Sequence, residues 1–341
     1  MKYVFRISSH LTFFLSKKII QVKNYNTDDC IFLLVRDYNI PTEYDDSFKN
    51  QIHTSLNVSQ SQGRIFAGIN IVKTYKNIRE FDSIIDDKIG GNFFIWFAQV
   101  CNDDICSLMV TKKNCVGYYV IEDGLGSYRD SNPQTFCGWR YWVYKIILKP
   151  CFPRIFTVKN KFIFTDSPKF KGCIATDSQC FPLHTDFVES VGNPFDEQEL
   201  PSEPDAILSI DPLYFLVKDD TVDLIYANLA QIFKAQNYRQ IYYKFHPYFF
   251  AKSNKDLRTK YDKRIKNFFG QDTKELPSDI VLECVLNKYK CDFYTNNSST
   301  VIYASRMGVK CYSYAPIIKK FDPSFQETKI VYNYCQPLSI E

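Results

Sequence analysis

The 341-residue sequence predicts an α/β protein made of two parallel-sheet domains, and three observations carry that expectation. First, strand-length apolar runs such as CIFLLV at Cys30–Val35 lack polar alternation, as expected of strands covered on both faces. Second, strands and amphipathic helices alternate through the second half, the pattern of right-handed crossovers in a Rossmann-like sheet. Third, the acidic stretch FVESVGNPFDEQELPSEP, Phe187–Pro204, has no apolar period and holds Gly192, Pro194, Pro201 and Pro204, so it reads as a linker. The expected division is residues 1–195, residues 196–320, and a segment 321–341 that packs back on the N-terminal domain. Two such domains facing each other across a cleft would bind ligands at the C-terminal ends of their strands.

The elements follow in order. Tyr3–Ile7 reads as a strand, Ser8–Ile20 as a helix and Cys30–Val35 as a buried strand, with further strands at Arg64–Ile71, Asn92–Ala98 and Val116–Ile121. Beyond the linker come the strand Ala206–Ile210 and a helix over Thr221–Lys234 with Val222, Ile225, Leu229, Ile232 and Phe233 on one face. Next are the strand Gln240–Phe245 and a basic helix from Lys252 to Phe268 striped by Leu257, Tyr261, Ile265 and Phe268. Ser278 or Asp279 is placed to cap a helix running to Lys288. The strand Cys291–Tyr294, a helix from Ser298 to Met307 stopped by Gly308, and the strand Val309–Tyr314 complete the series.

Composition narrows the function. A net charge of +4, from 42 basic and 38 acidic residues, is too dilute for a nucleic-acid binder. Twelve cysteines without a CxxC pair, and four histidines without zinc-ligand spacing, give neither a metal site nor a disulfide framework; they read as reduced thiols. The N-terminus has no continuous h-region, and the longest apolar run is far short of the ~20 residues that span a bilayer. A cytoplasmic location is expected, with peripheral contact to anionic lipid through the basic helix at 252–266 as an added expectation.

Three motifs follow strands. Glu122-Asp123-Gly124 opens the loop after VGYYVI; a carboxylate there can take the proton from a sugar hydroxyl, though Asp-Gly also makes hairpin turns. His246-Pro247 ends QIYYKF, where proline stops the strand and fixes the imidazole, a donor or acid for a leaving phosphate. Ser298-Ser299-Thr300 begins a helix, where hydroxyls cap the helix and also face an anion-binding N-terminus.

In their order and spacing these motifs resemble those of the bacterial lipooligosaccharide sialyltransferases and polysialyltransferases, over about Val116 to Tyr314. The resemblance implies a GT-B fold and inverting transfer of sialic acid from CMP-sialic acid to a glycan hydroxyl, without a metal or other cofactor. It implies Asp123 as general base, His246 as the group assisting departure of CMP, and Ser298 and Ser299 on the donor phosphate. Gly124, Pro247 and Thr300 join the donor-binding set. Glu283 is implied for the ribose, with Glu275 as fallback, while Thr295 and Asn296 receive no assignment. The implied partners are a CMP-sugar donor and an oligosaccharide or lipid-linked acceptor; a homodimer is compatible with them. Kdo, another nonulosonic acid or glycerol phosphate stay open as the transferred group, as does a non-catalytic nucleotide-binding module. Polyglycerol-phosphate transferases share His-Pro and a serine pair but carry a histidine motif where this chain has Glu-Asp-Gly.

Overall fold

The computed structural model describes residues 1–35, 38–54, 71–99, 104–129, 146, 167–213, 217–250 and 252–339. The chain divides into two compact units, Met1–Pro194 and Phe195–Glu341.

Among the described residues the first unit holds seven parallel strands in the order β3-β2-β1-β4-β5-β6-β7. They are β1 (Lys2–Ile7), β2 (Cys30–Leu34), β3 (Gln51–His53), β4 (Phe94–Ala98), β5 (Cys115–Ile121), β6 (Phe170–Ala175) and β7 (Val188–Ser190). Its helices are α1 (His10–Val22), α2 (Ile71–Ile89) and α3 (Asp104–Val110). All five residues of β2 are buried, as an apolar run without alternation requires. Ser9 and Thr12 close a capping box at the start of α1. The strand expected at Arg64–Ile71 lies outside the described residues except for Ile71, which opens α2. Part of the expected linker is also structured: β7 pairs with β6 inside it, and the irregular stretch begins only after Ser190.

Among the described residues the second unit holds six parallel strands in the order β10-β9-β8-β11-β12-β13. They are β8 (Ala206–Ile210), β9 (Ile241–Phe245), β10 (Lys274–Glu275), β11 (Asp292–Thr295), β12 (Cys311–Ser313) and β13 (Gln336–Pro337). Counted within the unit this is the 3-2-1-4-5-6 winding of a Rossmann sheet. Its helices are α4 (Asp219–Ala235), α5 (Lys255–Phe269), α6 (Leu282–Tyr289), α7 (Thr300–Arg306) and α8 (Ala315–Phe321). Val222, Ile225, Leu229 and Phe233 of α4 pack with Tyr243, Phe245, Tyr261 and Ile265 in one core. Gly308, at φ +83°, ends α7: its N–H donates to Ser305 O and that of Val309 to Ala304 O.

The described part of the segment 321–341 contributes to the sheet and core of the second unit. Phe325 and Val331 are buried, Phe325 in the core of the second unit, and β13 adds in parallel to the free edge of β12. A short strand with few apolar side chains extends the nearest open edge. The helix expected to begin at Ser278 or Asp279 begins instead at Leu282, with Val281 at its N-cap and no side-chain cap. The ammonium of Lys244 donates to the carbonyls of Pro277 and Ile280, and Gln198 accepts the Val281 N–H at 3.0 Å; together they hold this stretch as a turn.

The described cysteines are buried, and burial pushes the Cys115 and Cys335 thiols up to about 11. Among the described residues no helix is long and apolar enough to cross a membrane. The basic face of α5 is largely neutralised by ion pairs: Arg264 with Asp219 and Asp223, Lys260 with Asp219, Arg258 with Glu275 and Lys266 with Asp262.

Candidate functional site

The acids after β5 differ in what holds them. Glu122 is fully buried, and its Oε2 accepts from the Thr176 N–H at 2.7 Å and the Thr176 hydroxyl at 2.8 Å. It therefore ties the end of β5 to the end of β6. Asp123 is half-buried; its N–H donates to Ser127 Oγ at 2.9 Å. Gly124, at φ +71°, turns the chain into a 3-10 helix over Gly124–Tyr128. This is no hairpin, because β5 lies between β4 and β6 in a parallel sheet. The loop buries one acid as an anchor and leaves the next at the carboxyl end of the strand.

In the second unit His246 directly follows β9. Its N–H donates to Ile210 O at 2.9 Å, which joins the ends of β8 and β9. Nδ1 accepts the Tyr248 N–H at 3.2 Å, so the neutral ring carries its proton on Nε2. The outer side of the residue is exposed, while the protein packed behind the ring removes enough solvent to lower its pKa below the ordinary value. His246 is thus set as a neutral hydrogen-bond donor. Pro247 opens the 3-10 turn Pro247–Phe250.

Glu283, Ser298 and Thr300 come together. The Thr300 hydroxyl donates to Glu283 Oε1 at 2.7 Å and accepts from Ser298 Oγ at 3.0 Å, and the Thr300 N–H donates to Ser298 Oγ at 3.2 Å. The delayed start of α6 puts Glu283 in its first turn, facing the start of α7. Burial raises the Glu283 carboxyl pKa, opposed by the Thr300 bond and the charge of Lys244. Ser299 is the N-cap of α7, half-buried, and its hydroxyl caps nothing. Glu275, the alternative ribose ligand, is instead held by Arg258 at 2.6 Å.

Sequence reasoning gave no role to Lys244 or Asp211. Burial lowers the Lys244 pKa to about 8, against the pull of Asp279, Glu283 and Glu275. Asp211 follows β8, and burial pushes its carboxyl up to about 7 even though it accepts the Asn296 N–H. A signal was present: Asp211-Pro212 ends its strand with the same syntax as His246-Pro247. An open groove of about 980 Å³ runs along β10, lined by Tyr242, Lys274 and Pro277 but by none of His246, Glu283 or Ser298.

No family model and no curated protein matches the chain. Solved structures do share its fold. The S. aureus MnaA–UDP co-structure aligns with a TM-score of 0.53 at 11% identity, over 92% of this chain and 79% of that one. The UDP-GlcNAc 2-epimerase from Methanocaldococcus jannaschii aligns with a TM-score of 0.55 at 9% identity, over 99% of this chain and 89% of that one. A second M. jannaschii UDP-GlcNAc 2-epimerase structure, in complex with UDP-GlcNAc and UDP, gives 0.52 at 10% identity, over 99% and 89%. Two parallel-sheet α/β units of the GT-B type are the fold of this chain.

Proposed function

We propose that this chain is an inverting, metal-independent glycosyltransferase that moves a sialic-acid-type sugar from a CMP-activated donor onto a glycan hydroxyl. The observation that carries the reading is the hydrogen-bonded run Ser298–Thr300–Glu283, one sheet with His246. A hydroxyl pair beside an acid suits a nucleoside monophosphate, with Ser298 and Ser299 on the phosphate and Glu283 on a ribose hydroxyl. His246 donates Nε2–H to the departing phosphate, and being neutral it contributes a hydrogen bond more than a charge. Asp123 takes the proton from the acceptor hydroxyl. The acceptor oxygen attacks the anomeric carbon, the carbon–phosphate oxygen bond breaks with its electron pair going to CMP, and the anomeric centre inverts. Lipid contact through α5 would rely on Lys255 and Lys263, which have no ion pair to any described residue.

A second reading keeps the chemistry and changes the nucleotide, because neighbours of the same fold are bound to UDP or UDP-GlcNAc. One experiment tests both: the chain is incubated with a panel of CMP- and UDP-sugars, with and without glycan acceptors, and the released nucleotide is identified. Acceptor-dependent CMP release that falls at least 100-fold in Asp123→Ala is expected. Acceptor-dependent UDP release would replace the first reading with the second, and near-normal turnover in Asp123→Ala would remove the assigned base.

A further inference from the structure

The carboxyl end of the second sheet carries polar atoms that the protein leaves unsatisfied. Thr295 and Asn296 are only 1% and 2% exposed, yet Thr295 Oγ1 and Asn296 Oδ1 have no hydrogen-bond partner. Asn297 Oδ1 and Asp211 Oδ2 are buried and equally unpartnered. Folded proteins pair nearly all buried polar atoms, so four orphans on two adjoining strand ends mark a place where something else supplies the partner.

The location supports a ligand. β8 and β11 are hydrogen-bonded neighbours where the strand order reverses, the point at which open α/β sheets bind small molecules. Their register pairs Leu208 with Tyr294, which carries Asp211 level with Asn297 beyond the strands. The carboxyl of Asp211 is held in place: it accepts the Asn296 N–H, while its own N–H meets the hydroxyl of Tyr314, which donates to Ser209 O at 2.9 Å. Asn297 is fixed as well, its Nδ2 donating to Thr328 Oγ1. The unpartnered oxygens are therefore set by the scaffold and do not swing freely.

Their chemistry selects the group they would take. Every orphan atom here can accept; the Thr295 hydroxyl, and the Asp211 carboxyl when it is protonated, can also donate. Acceptors attract O–H and amide N–H groups and repel phosphate or carboxylate oxygens. His246, whose N–H bonds to Ile210 O at the foot of Asp211, stands one strand spacing away, ~5 Å. We propose that Asp211 and Asn296 form a subsite for the hydroxyl- and amide-bearing face of the transferred sugar, next to the phosphate position and distinct from it. This rests on the reading of the chain as a nucleotide-sugar transferase, and it makes the pair a determinant of which sugar is accepted.

Calorimetric titration of the full chain without acceptor tests it, with CMP against CMP-sialic acid and UDP against UDP-N-acetylglucosamine as ligand pairs. Asp211→Ala and Asn296→Ala are expected to bind the bare nucleotide within twofold of wild type. They should bind the matching sugar nucleotide at least tenfold more weakly. Asp211→Asn, which keeps the size and one acceptor, should show a smaller loss of the same kind; if Asp211→Ala does not fold, this variant and Asn296→Ala carry the test. Equal losses for nucleotide and sugar nucleotide overturn the subsite, as do unchanged sugar-nucleotide affinities. A wild-type chain that binds neither pair overturns the transferase reading along with it, whereas tight wild-type binding with unaffected variants overturns the subsite alone.

Discussion

Each sheet ends in an acid with a buried carboxylate oxygen, and the two acids are treated in opposite ways. In the first unit Glu122 is fully buried and receives both the N–H and the hydroxyl of Thr176. In the second, Asp211 receives one N–H, from Asn296, and its Oδ2 receives nothing. A saturated buried carboxylate is part of the frame; it costs little to keep and much to remove. An unsaturated one is a standing cost that a protein of ordinary stability keeps for a purpose outside the fold. The loop that carries Glu122 can thus offer Asp123 to chemistry because its neighbour does the anchoring.

The comparison can be broken at its strongest point first. Glu122→Ala leaves two buried donors without an acceptor and should destabilise the first unit by about 3 kcal/mol, read by urea unfolding. A loss under about 1 kcal/mol would mean that the anchor is not structural.

Asp211→Asn should act in the reverse direction. The folded-state pKa of Asp211 is raised to about 7 from 3.8, so between those values the unfolded chain has released a proton that the native state keeps. Stability from this group is fully present below about pH 4 and lost as pH rises through 7. Asparagine mimics the neutral carboxyl, so Asp211→Asn should be more stable than wild type at pH 8, on the order of 2 kcal/mol, and no more stable at pH 4. Thermal melts at the two pH values decide it, and a variant less stable at pH 8 would overturn the contrast with Glu122.

The third effect is smaller and concerns catalysis. Thr300→Val cuts both links of the Ser298–Thr300–Glu283 run and should lower kcat/KM for the sugar-nucleotide donor by about tenfold, ~1.4 kcal/mol, with Thr300→Ser restoring most of it. A valine variant with wild-type kinetics would show that the run only caps α7.

Long or fully buried elements were legible in the sequence. β2, β8, β9, α1 and α4 lie within two residues of their expected bounds, because a run such as CIFLL leaves no polar break to misread. β3, β7, β10 and β13 were not, since strands of two or three residues at a sheet margin carry too few apolar side chains for a period. The start of α6 was misplaced for a tertiary reason: Ser278 and Asp279 have the chemistry of caps, but Lys244 and Gln198 hold that stretch from elsewhere in the chain. That shift moved Glu283 from the interior of the expected helix to its first turn. In the candidate site, residues within a motif could be read one by one, whereas Asp211 could not. Its significance lies in an oxygen with no partner, and sequence shows residues but not what they fail to touch.

The bond from the Tyr248 amide to Nδ1 of His246 has a further consequence. It removes a degree of freedom that surface imidazoles ordinarily keep. The ring cannot exchange its two nitrogens by a half-turn without breaking a main-chain contact, so its outward nitrogen is committed to giving a proton or a hydrogen bond and never to receiving one while the ring is neutral. A molecule docking against the end of β9 therefore meets a fixed polarity, and its own acceptor must be turned toward the protein before anything else can happen.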